Sequence, residues 1–245
     1  MEKEKGHLHP ITQIVREVYS VFKEMGFEVA DGPELEDEFH NFDALNIHKD
    51  HPARDMQDTF WIKENGDGKK MDGVRNADNG ERMVLRTHTS SVQIRYMETH
   101  KPPFRIIVPG KVFRNEATDA THEAQFYQVE ALYVDKDVSL AHLKGVLEKM
   151  FKKIFGDDVN IRFRPSFFSF TEPSVEVDMQ RNGKWLEMGG AGMVHPNVFR
   201  AVGVDPDKWQ GFAFGFGLDR IAMLKFGIDD VRLGYSGDLR LINQF

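Results

Sequence analysis

Five side chains in the middle of the sequence combine types that could bind a charged ligand. Arg114 and Glu116 are followed, after a polar stretch, by Phe126, Gln128 and Glu130. An arginine fork suits a phosphate, an aromatic ring gives a planar base a stacking surface, and Gln128 and Glu130 offer acceptors to an ammonium group. These types favour a binding surface. The alternative is an ordinary hairpin whose charged side chains face solvent. That alternative does not explain why an aromatic ring shares a strand face with polar side chains of types found in binding sites.

The elements that must position these residues are two predicted β-strands, 104–116 and 124–134. Both segments are rich in aromatic and branched residues, and polar residues 118–121 predict a turn between them. Successive side chains of a strand point to opposite faces. If the strands pair, the five candidate side chains therefore share one face, whereas Tyr127 and Val129 take the other.

A second candidate site lies in residues 210–226. Ala213 and Gly215 alternate with large phenylalanines, so one strand face can fill the core while the other leaves room for a ligand. A helix is predicted to start near 218, with Arg220 in its first turn, where the helix dipole disfavours a cation. An anionic ligand such as a triphosphate would explain that placement. A dinucleotide-binding turn would need glycine three residues after Gly217, where Arg220 stands, and is excluded.

Three polar side chains, His88, Ser90 and Gln93, lie where a predicted strand runs into a predicted helix. Ser90 and Gln93 have the spacing of a capping box, which is a structural role. A helix N-terminus also favours a bound carboxylate, so a binding role stays open beside it.

Residues 161–173 carry two aromatics and a carboxylate, Phe168, Phe170 and Glu172, whose alternation predicts one strand face. Taken alone, they fit two core aromatics and an edge carboxylate. Further along, Asn182 and Gly183 predict a hairpin turn.

The remaining pattern predicts an α+β domain. Apolar residues at helical spacing predict amphipathic helices over 11–25 and 139–156, the first flanked by Pro10 and by a glycine at its end. The polar, glycine-containing stretch 63–82 predicts a surface excursion. Since no repeat or low-complexity linker interrupts the chain, residues 1–245 are expected to form a single domain.

Composition excludes several classes of protein. The chain has 245 residues, 40% of them hydrophobic, and no apolar run approaches the roughly 20 residues that span a membrane. It has no cysteine, which excludes disulfides and thiolate metal sites, and its first residues resemble neither a signal nor a transit peptide. These features are compatible with a cytoplasmic location. The net charge of −7 implies that any binding of nucleic acid phosphates depends on a local basic patch or on another chain.

The motif Phe-Arg-x-Glu at 113–116, followed by His122, Phe126 and Glu130, resembles motif 2 of the class II aminoacyl-tRNA synthetases. Segments about 11–36 and 210–226 resemble motifs 1 and 3, and motif 2 extends over about 104–135. Five further short segments resemble the α subunits of bacterial-type phenylalanyl-tRNA synthetases: 6–12, 39–46, 51–55, 86–90 and 189–196. The resemblance as a whole covers nearly the entire chain.

This resemblance implies the class II catalytic fold, an antiparallel sheet of about six or seven strands flanked by helices. It also implies that the domain forms phenylalanyl-adenylate from L-phenylalanine and ATP and transfers the amino acid to tRNA(Phe). Mg2+ is expected to offset the charge of the triphosphate, with Glu172 as its ligand.

Residue roles follow from the same resemblance. The catalytic residues would be Arg114 at the α-phosphate, His122 over the phosphates and Arg220 near the distal phosphates. ATP would be bound by these and by Phe126 stacked on adenine with Arg220 opposite, Glu116 at the adenine amino group, and Gly215 and Gly217. The amino acid would be held at its polar end by His88, Ser90, Gln93, Gln128 and Glu130, and around its ring by Phe168, Phe170 and Ala213, the two phenylalanines edge to face with it.

Two departures and two alternatives accompany the resemblance. Asp219 stands where the family usually has glutamate, and the synthetase words begin at residue 6, so the N-terminal coiled-coil arm of the family is expected to be absent. The partner is expected to be a β subunit, or a second copy joined through motif 1. The alternative functions are a synthetase-like paralogue that binds ligand without charging tRNA, and a trimmed or reconstructed core that activates phenylalanine but charges tRNA poorly.

Overall fold

The structure, a computed structural model, describes residues 6–54, 58–62 and 82–245. Within these residues the chain forms an α+β fold built on a seven-stranded sheet in the order β1-β4-β5-β9-β8-β7-β6, beside a small β2–β3 pair. The strands are β1 (Glu28–Val29), β2 (Leu35–Asp37), β3 (Met83–Leu85), β4 (Phe104–Phe113), β5 (Gln125–Asp135), β6 (Asn160–Phe168), β7 (Thr171–Arg181), β8 (Lys184–Val194) and β9 (Gln210–Gly217).

Seven α-helices and three short 3-10 helices connect the strands in the described residues. The α-helices are α1 (Pro10–Glu24), α2 (Glu38–Asn41), α3 (Ser90–Thr99), α4 (Leu140–Phe155), α5 (Pro196–Ala201), α6 (Leu218–Phe226) and α7 (Leu239–Ile242), and the 3-10 helices are Asp43–Leu45, Pro52–Arg54 and Val231–Gly234. No helix in the described ranges has the length and hydropathy needed to cross a bilayer.

The sheet is antiparallel except at its edge, where β1 pairs in parallel with β4. The antiparallel fold and the strand number predicted from the resemblance are thereby confirmed. In the centre, β5 and β9 pair with Gln128 opposite Gly217 and Glu130 opposite Gly215. The small residues of β9 therefore lie directly beside the candidate polar side chains of β5.

The two faces of the sheet pack against different layers. On one face, α1, α4 and α6 bury their apolar sides against the large residues of the central strands, including Phe212, Phe214 and Phe216. On the other face, α3, α5 and the 3-10 helix Asp43–Leu45 pack against Ile106, Val108 and Leu132, giving a second core. The alternation predicted for 210–217 is confirmed, because the phenylalanines fill one core and Ala213 faces the opposite side.

Several local predictions are confirmed. Helix α1 begins at Pro10, and the Nδ1 atom of His9 accepts from the Ile11 N–H at 3.1 Å, so this histidine acts as a cap. Helix α4 matches the prediction over 139–156. The β7–β8 hairpin turns at Asn182 and Gly183, whose φ angles of 50° and 75° are those a tight primed turn needs.

Two predicted strands end earlier than expected. Strand β4 stops at Phe113, because the Arg114 N–H closes the hairpin on Ala124 and the Asn115 N–H donates to Asp58 outside the sheet. The prediction that Arg114 lies on a strand face with Glu116 was wrong, since both lie in the loop before β5. The prediction of a turn at 118–121 falls within that loop.

The second error concerns the aromatic segment. Strand β6 ends at Phe168, a two-residue turn follows, and β7 begins at Thr171, so Phe168, Phe170 and Glu172 do not share a strand face. The turn is held by Ser174, whose hydroxyl accepts from the Phe168 N–H at 3.0 Å. The predicted excursion at 63–82 lies outside the described residues except for its last member.

Candidate active site

A cavity of about 640 Å³ opens on the face of the sheet that carries Ala213 and Gly215. Its walls come from β5, β8 and β9, the first turn of α3, and the turn between β6 and β7. The polar wall contains Asp58, Thr87, His88, Ser90, Gln93, Arg114, Glu116, Gln128 and Glu130. The apolar wall includes Leu45, Ile94, Met97, Leu132, Phe168, Phe170, Val194, Val198 and Ala213. A site with one such wall of each kind suits a ligand that has an apolar body and a polar end.

The Glu130 carboxylate is the centre of the polar wall. It is 6% exposed and accepts three hydrogen bonds, from the Thr89 N–H at 3.2 Å, the Ser90 hydroxyl at 2.5 Å and the Gln93 amide at 3.0 Å. Of the two roles left open for Ser90 and Gln93, the capping box does not form: Thr89 is the N-cap, without a side-chain cap, and both side chains bond to Glu130. Burial raises the pKa of Glu130 to about 7, although the hydrogen bonds from Ser90 and Thr89 oppose the rise.

His88 offers an unused acceptor. Its Nε2 atom lies 3.0 Å from the carbonyl oxygen of Asn41, and because a carbonyl only accepts, Nε2 carries the proton. Burial, and then the charge of Arg114, lower the pKa of His88 to about 4, so the ring is neutral near pH 7. The buried Nδ1 atom is then an acceptor, and it has no hydrogen-bond partner among the described residues.

Gln128 presents a second acceptor of the same kind. Its buried Oε1 atom has no partner in the described part of the chain, and Gln128 lines the same cavity. Leaving a buried acceptor unpaired costs about 1–3 kcal/mol. Two such acceptors beside the Glu130 carboxylate are complementary to a ligand group with several N–H donors, and an ammonium group carries three.

Arg114 is positioned from the loop before β5. Its Nε atom donates to the Thr87 carbonyl at 3.3 Å, and its guanidinium lies 5.0 Å from the centre of the Phe126 ring. Arg114 and Glu116 both line the cavity, whereas Phe126 lies beyond its wall. The ring and the guanidinium together offer a cation and an aromatic surface at the border of the cavity.

The aromatic wall is built by close approach. The Phe168 and Phe170 rings lie with centroids 5.7 Å apart and planes 11° apart. A side chain at Gly190 would place Cβ 2.7 Å from the Phe168 ring, so glycine is what admits that ring. Asn46 holds the intervening turn: its amide donates to the Ser169 carbonyl at 2.7 Å, from a backbone with φ of 57°.

Five candidate residues lie outside the cavity walls: His122, Phe126, Glu172, Gly217 and Arg220. His122 is exposed and pairs with Asp119 at 3.0 Å, and Arg220 is exposed in the first turn of α6 beside Gly217. The Glu172 side chain is 72% exposed, with His195 at 3.3 Å as its neighbour. Their predicted roles stay predictions.

Among the described residues, the group with metal-ligand spacing is Glu36, Asp37 and His40. Arg95 forms ion pairs with both carboxylates, which offsets part of their charge and occupies oxygens that a metal would need. The Mg2+ prediction therefore continues to rest on Glu172.

Sequence reasoning missed three contributors to the site. Asn41 orients His88, Thr89 donates its backbone N–H to Glu130, and Asn46 holds the aromatic turn. Asn41 and Thr89 act through backbone atoms, which every residue type has, so the sequence does not reveal their contribution. Asn46 could have been noticed only as an asparagine suited to a left-handed backbone.

The architecture and the site define a class of protein. The sequence matches the family of "tRNA synthetases class II core domain (F)" over residues 1–245. The fold resembles the crystal structure of pyrrolysyl-tRNA synthetase from Desulfitobacterium hafniense with a TM-score of 0.69 at 15% identity, over 93% of this chain and 74% of the other. The chain is thus a class II aminoacyl-tRNA synthetase core.

The particular family follows from closer relatives. The chain is 53% identical to the phenylalanine–tRNA ligase alpha subunit of Colwellia psychrerythraea, covering 98% of this chain and 67% of that protein. It is 54% identical to the corresponding subunit of Neisseria meningitidis serogroup B, covering 99% of this chain and 69% of that protein. The chain belongs to the phenylalanine–tRNA ligase alpha-subunit family and spans about two thirds of the length of these relatives.

The pKa of Glu130 yields a stability prediction. It is raised from an ordinary 4.5 to about 7, so the neutral carboxyl favours the fold below the first value and this contribution is lost as pH rises through the second. We expect the difference in unfolding free energy between the protein and Glu130→Gln to fall by about 3 kcal/mol between these limits. Denaturant titrations across that pH range, without ligand, measure it.

The control is Glu148→Gln on the solvent side of α4, which should change the unfolding free energy little at any pH. A difference for Glu130→Gln that is equally flat with pH would contradict the assigned burial of the charge.

Proposed function

We propose that this domain activates L-phenylalanine with ATP to phenylalanyl-adenylate and then transfers the amino acid to tRNA(Phe), as the catalytic core of a phenylalanine–tRNA ligase. The observation that carries the proposal is the set of buried acceptors, His88 Nδ1, Gln128 Oε1 and the Glu130 carboxylate, on the polar wall of a cavity with an aromatic wall. That combination is complementary to an amino acid with an apolar ring.

The polar wall would hold the ammonium group. A protonated amine donates to both unpartnered acceptors, and its charge lowers the cost of ionising Glu130 in the bound state. Ser90 and Gln93 act through the carboxylate, because both already donate to it. Neutral His88 is suited to this role, since a protonated ring would repel the amine.

The ring would enter between Phe168, Phe170 and Ala213. An aromatic substrate ring can pack at an edge-to-face angle against these side chains. An apolar wall rejects the added hydroxyl of tyrosine only modestly, unless that hydroxyl is left without a partner or room. Asn46 contributes indirectly, by holding Ser169 between the two phenylalanines.

ATP would lie along motif 2 and the start of α6. Arg114 would contact the α-phosphate, Phe126 would stack on adenine with Arg220 opposite, and His122 and Glu116 would contact the phosphates and the adenine amino group. Gly215 and Gly217 leave space for the nucleotide on β9. The substrate carboxylate then attacks the α-phosphorus and pyrophosphate leaves, a reaction that depends on positioning and charge neutralisation.

Mg2+ would be held by Glu172. A single exposed carboxylate fits this ion, which is commonly bound by one or two carboxylates together with substrate phosphates. When bound, Mg2+ neutralises charge on the triphosphate.

The partners proposed are tRNA(Phe) and a β subunit, since the relatives are named as alpha subunits. A net charge of −7 is consistent with much of the grip on tRNA lying elsewhere in the assembly. A homodimer through residues 11–36 is the alternative assembly. We propose that residues 1–245 act as one catalytic domain in the cytoplasm.

The ring wall gives a prediction for Asn46→Gly. Glycine keeps the left-handed backbone but removes the amide that holds Ser169, so we expect the Kd for L-phenylalanine to rise about fivefold, the equivalent of one net hydrogen bond. Calorimetry measures this. Asn182→Gly is the matched control, because Asn182 also has a positive φ and lies in the β7–β8 turn. Equal losses for both variants would contradict the role of Asn46.

The activity is tested by phenylalanine-dependent ATP–pyrophosphate exchange, with tyrosine as the competing amino acid and Arg220→Ala as the blank. We expect exchange with phenylalanine, much less with tyrosine, and a loss of exchange in the variant. Binding of phenylalanine and ATP without exchange would favour a binding paralogue or a requirement for the partner subunit. Failure to bind either ligand would overturn the assignment of the cavity.

A further inference from the structure

The junction between β9 and α6 leaves the start of β5 without a strand partner on one side. The β5–β9 pairing ends at Gln128 and Gly217, where β9 turns into α6, while β5 continues to Gln125 paired only with β4. The backbone N–H of Tyr127 therefore needs an acceptor other than β9, because the β5–β9 hydrogen bonds end one residue away, at Gln128.

The side chain of Asp219 supplies that acceptor. One carboxylate oxygen accepts from the Tyr127 N–H at 2.6 Å, in place of the backbone carbonyl that a longer β9 would have offered. Asp219 is 7% exposed, so this is a buried link between motif 2 and motif 3. Asp219 stands where class II synthetases usually have glutamate, and its side chain still reaches β5.

The other oxygen of Asp219 has its own donor. The Tyr235 hydroxyl lies 2.6 Å away and donates to it. Burial raises the pKa of Asp219, and the hydrogen bonds from Tyr235 and Tyr127 oppose that rise, so the phenol stabilises the ionised carboxylate. A buried carboxylate that lost this donor would bear part of its desolvation cost uncompensated.

Tyr235 is the last residue of a segment, residues 231–235, that also contacts the loop of the site and the start of α1. The Val231 N–H donates to the Ala120 carbonyl at 2.9 Å, within the loop that carries Arg114 and His122. The Gly234 carbonyl lies 3.0 Å from His9 Nε2 at the start of α1. This segment is therefore held in place independently of Asp219.

We propose that Tyr235 is a positioning residue for the nucleotide half of the site. Through Asp219 it fixes the start of α6, which bears Arg220, against the start of β5, which bears Phe126. The proposal rests on the proposed function, in which those two side chains enclose adenine. The amino-acid half is fixed separately, by Glu130 and the first turn of α3.

The test compares Tyr235→Phe with Tyr133→Phe. Tyr133 lies near the other end of β5 and also donates its hydroxyl to an aspartate, Asp135, at 3.1 Å, so it loses the same kind of bond away from the site. Calorimetry measures the Kd for ATP with Mg2+ and, separately, for L-phenylalanine. We expect Tyr235→Phe to weaken ATP binding about fivefold to tenfold and phenylalanine binding by less than about twofold, with Tyr133→Phe changing neither.

A double-mutant cycle adds a second readout. If Tyr235 acts through Asp219, the effects of Tyr235→Phe and Asp219→Asn on ATP affinity are not additive. Equal weakening of both ligands by Tyr235→Phe, or additive effects, would overturn the proposal while leaving the proposed function intact. A parent protein that binds neither ligand would instead refute the proposed function, and this inference with it.

Discussion

The site depends on one buried carboxylate. Glu130 lies on the central strand β5, and the N-terminus of α3 is attached to it through the Thr89 N–H, the Ser90 hydroxyl and the Gln93 amide. A charge buried to 6% exposure is costly, and the three donors offset only part of that cost, because the pKa of Glu130 is still raised to about 7. This arrangement sets where α3 begins, and with it the position of His88 just before the helix.

The same carboxylate explains why neighbouring acceptors are left unpaired. Ser90 and Gln93 direct their donors at Glu130, and neither His88 Nδ1 nor Gln128 Oε1 has a hydrogen-bond partner among the described residues. Gly215 opposite Glu130 keeps the space clear, because a Cβ there would lie 3.1 Å from the Glu130 side chain. The polar wall is thus organised before the ligand arrives, which reduces the cost of binding.

Sequence patterns predicted the parts of this site that follow strand periodicity. Gln128 and Glu130 face the cavity, and Ala213 and Gly215 face it from β9, as alternation requires. What could not be predicted depends on contacts distant in sequence. The capping box suggested by the spacing of Ser90 and Gln93 does not form, because both side chains donate hydrogen bonds to Glu130, some forty residues later in the sequence. The turn between Phe168 and Phe170 and its support by Asn46 also involve long-range bonds that no local pattern records.

In the proposed function, the buried acceptors select the ammonium group of the ligand. Calorimetric comparison of L-phenylalanine with 3-phenylpropionate, which lacks the amine, and with phenethylamine, which lacks the carboxylate, tests this selection. We predict that phenethylamine binds and that 3-phenylpropionate loses affinity by about a hundredfold or more, the range expected when buried polar groups are left unpaired. Equal affinity for L-phenylalanine and 3-phenylpropionate would contradict the account.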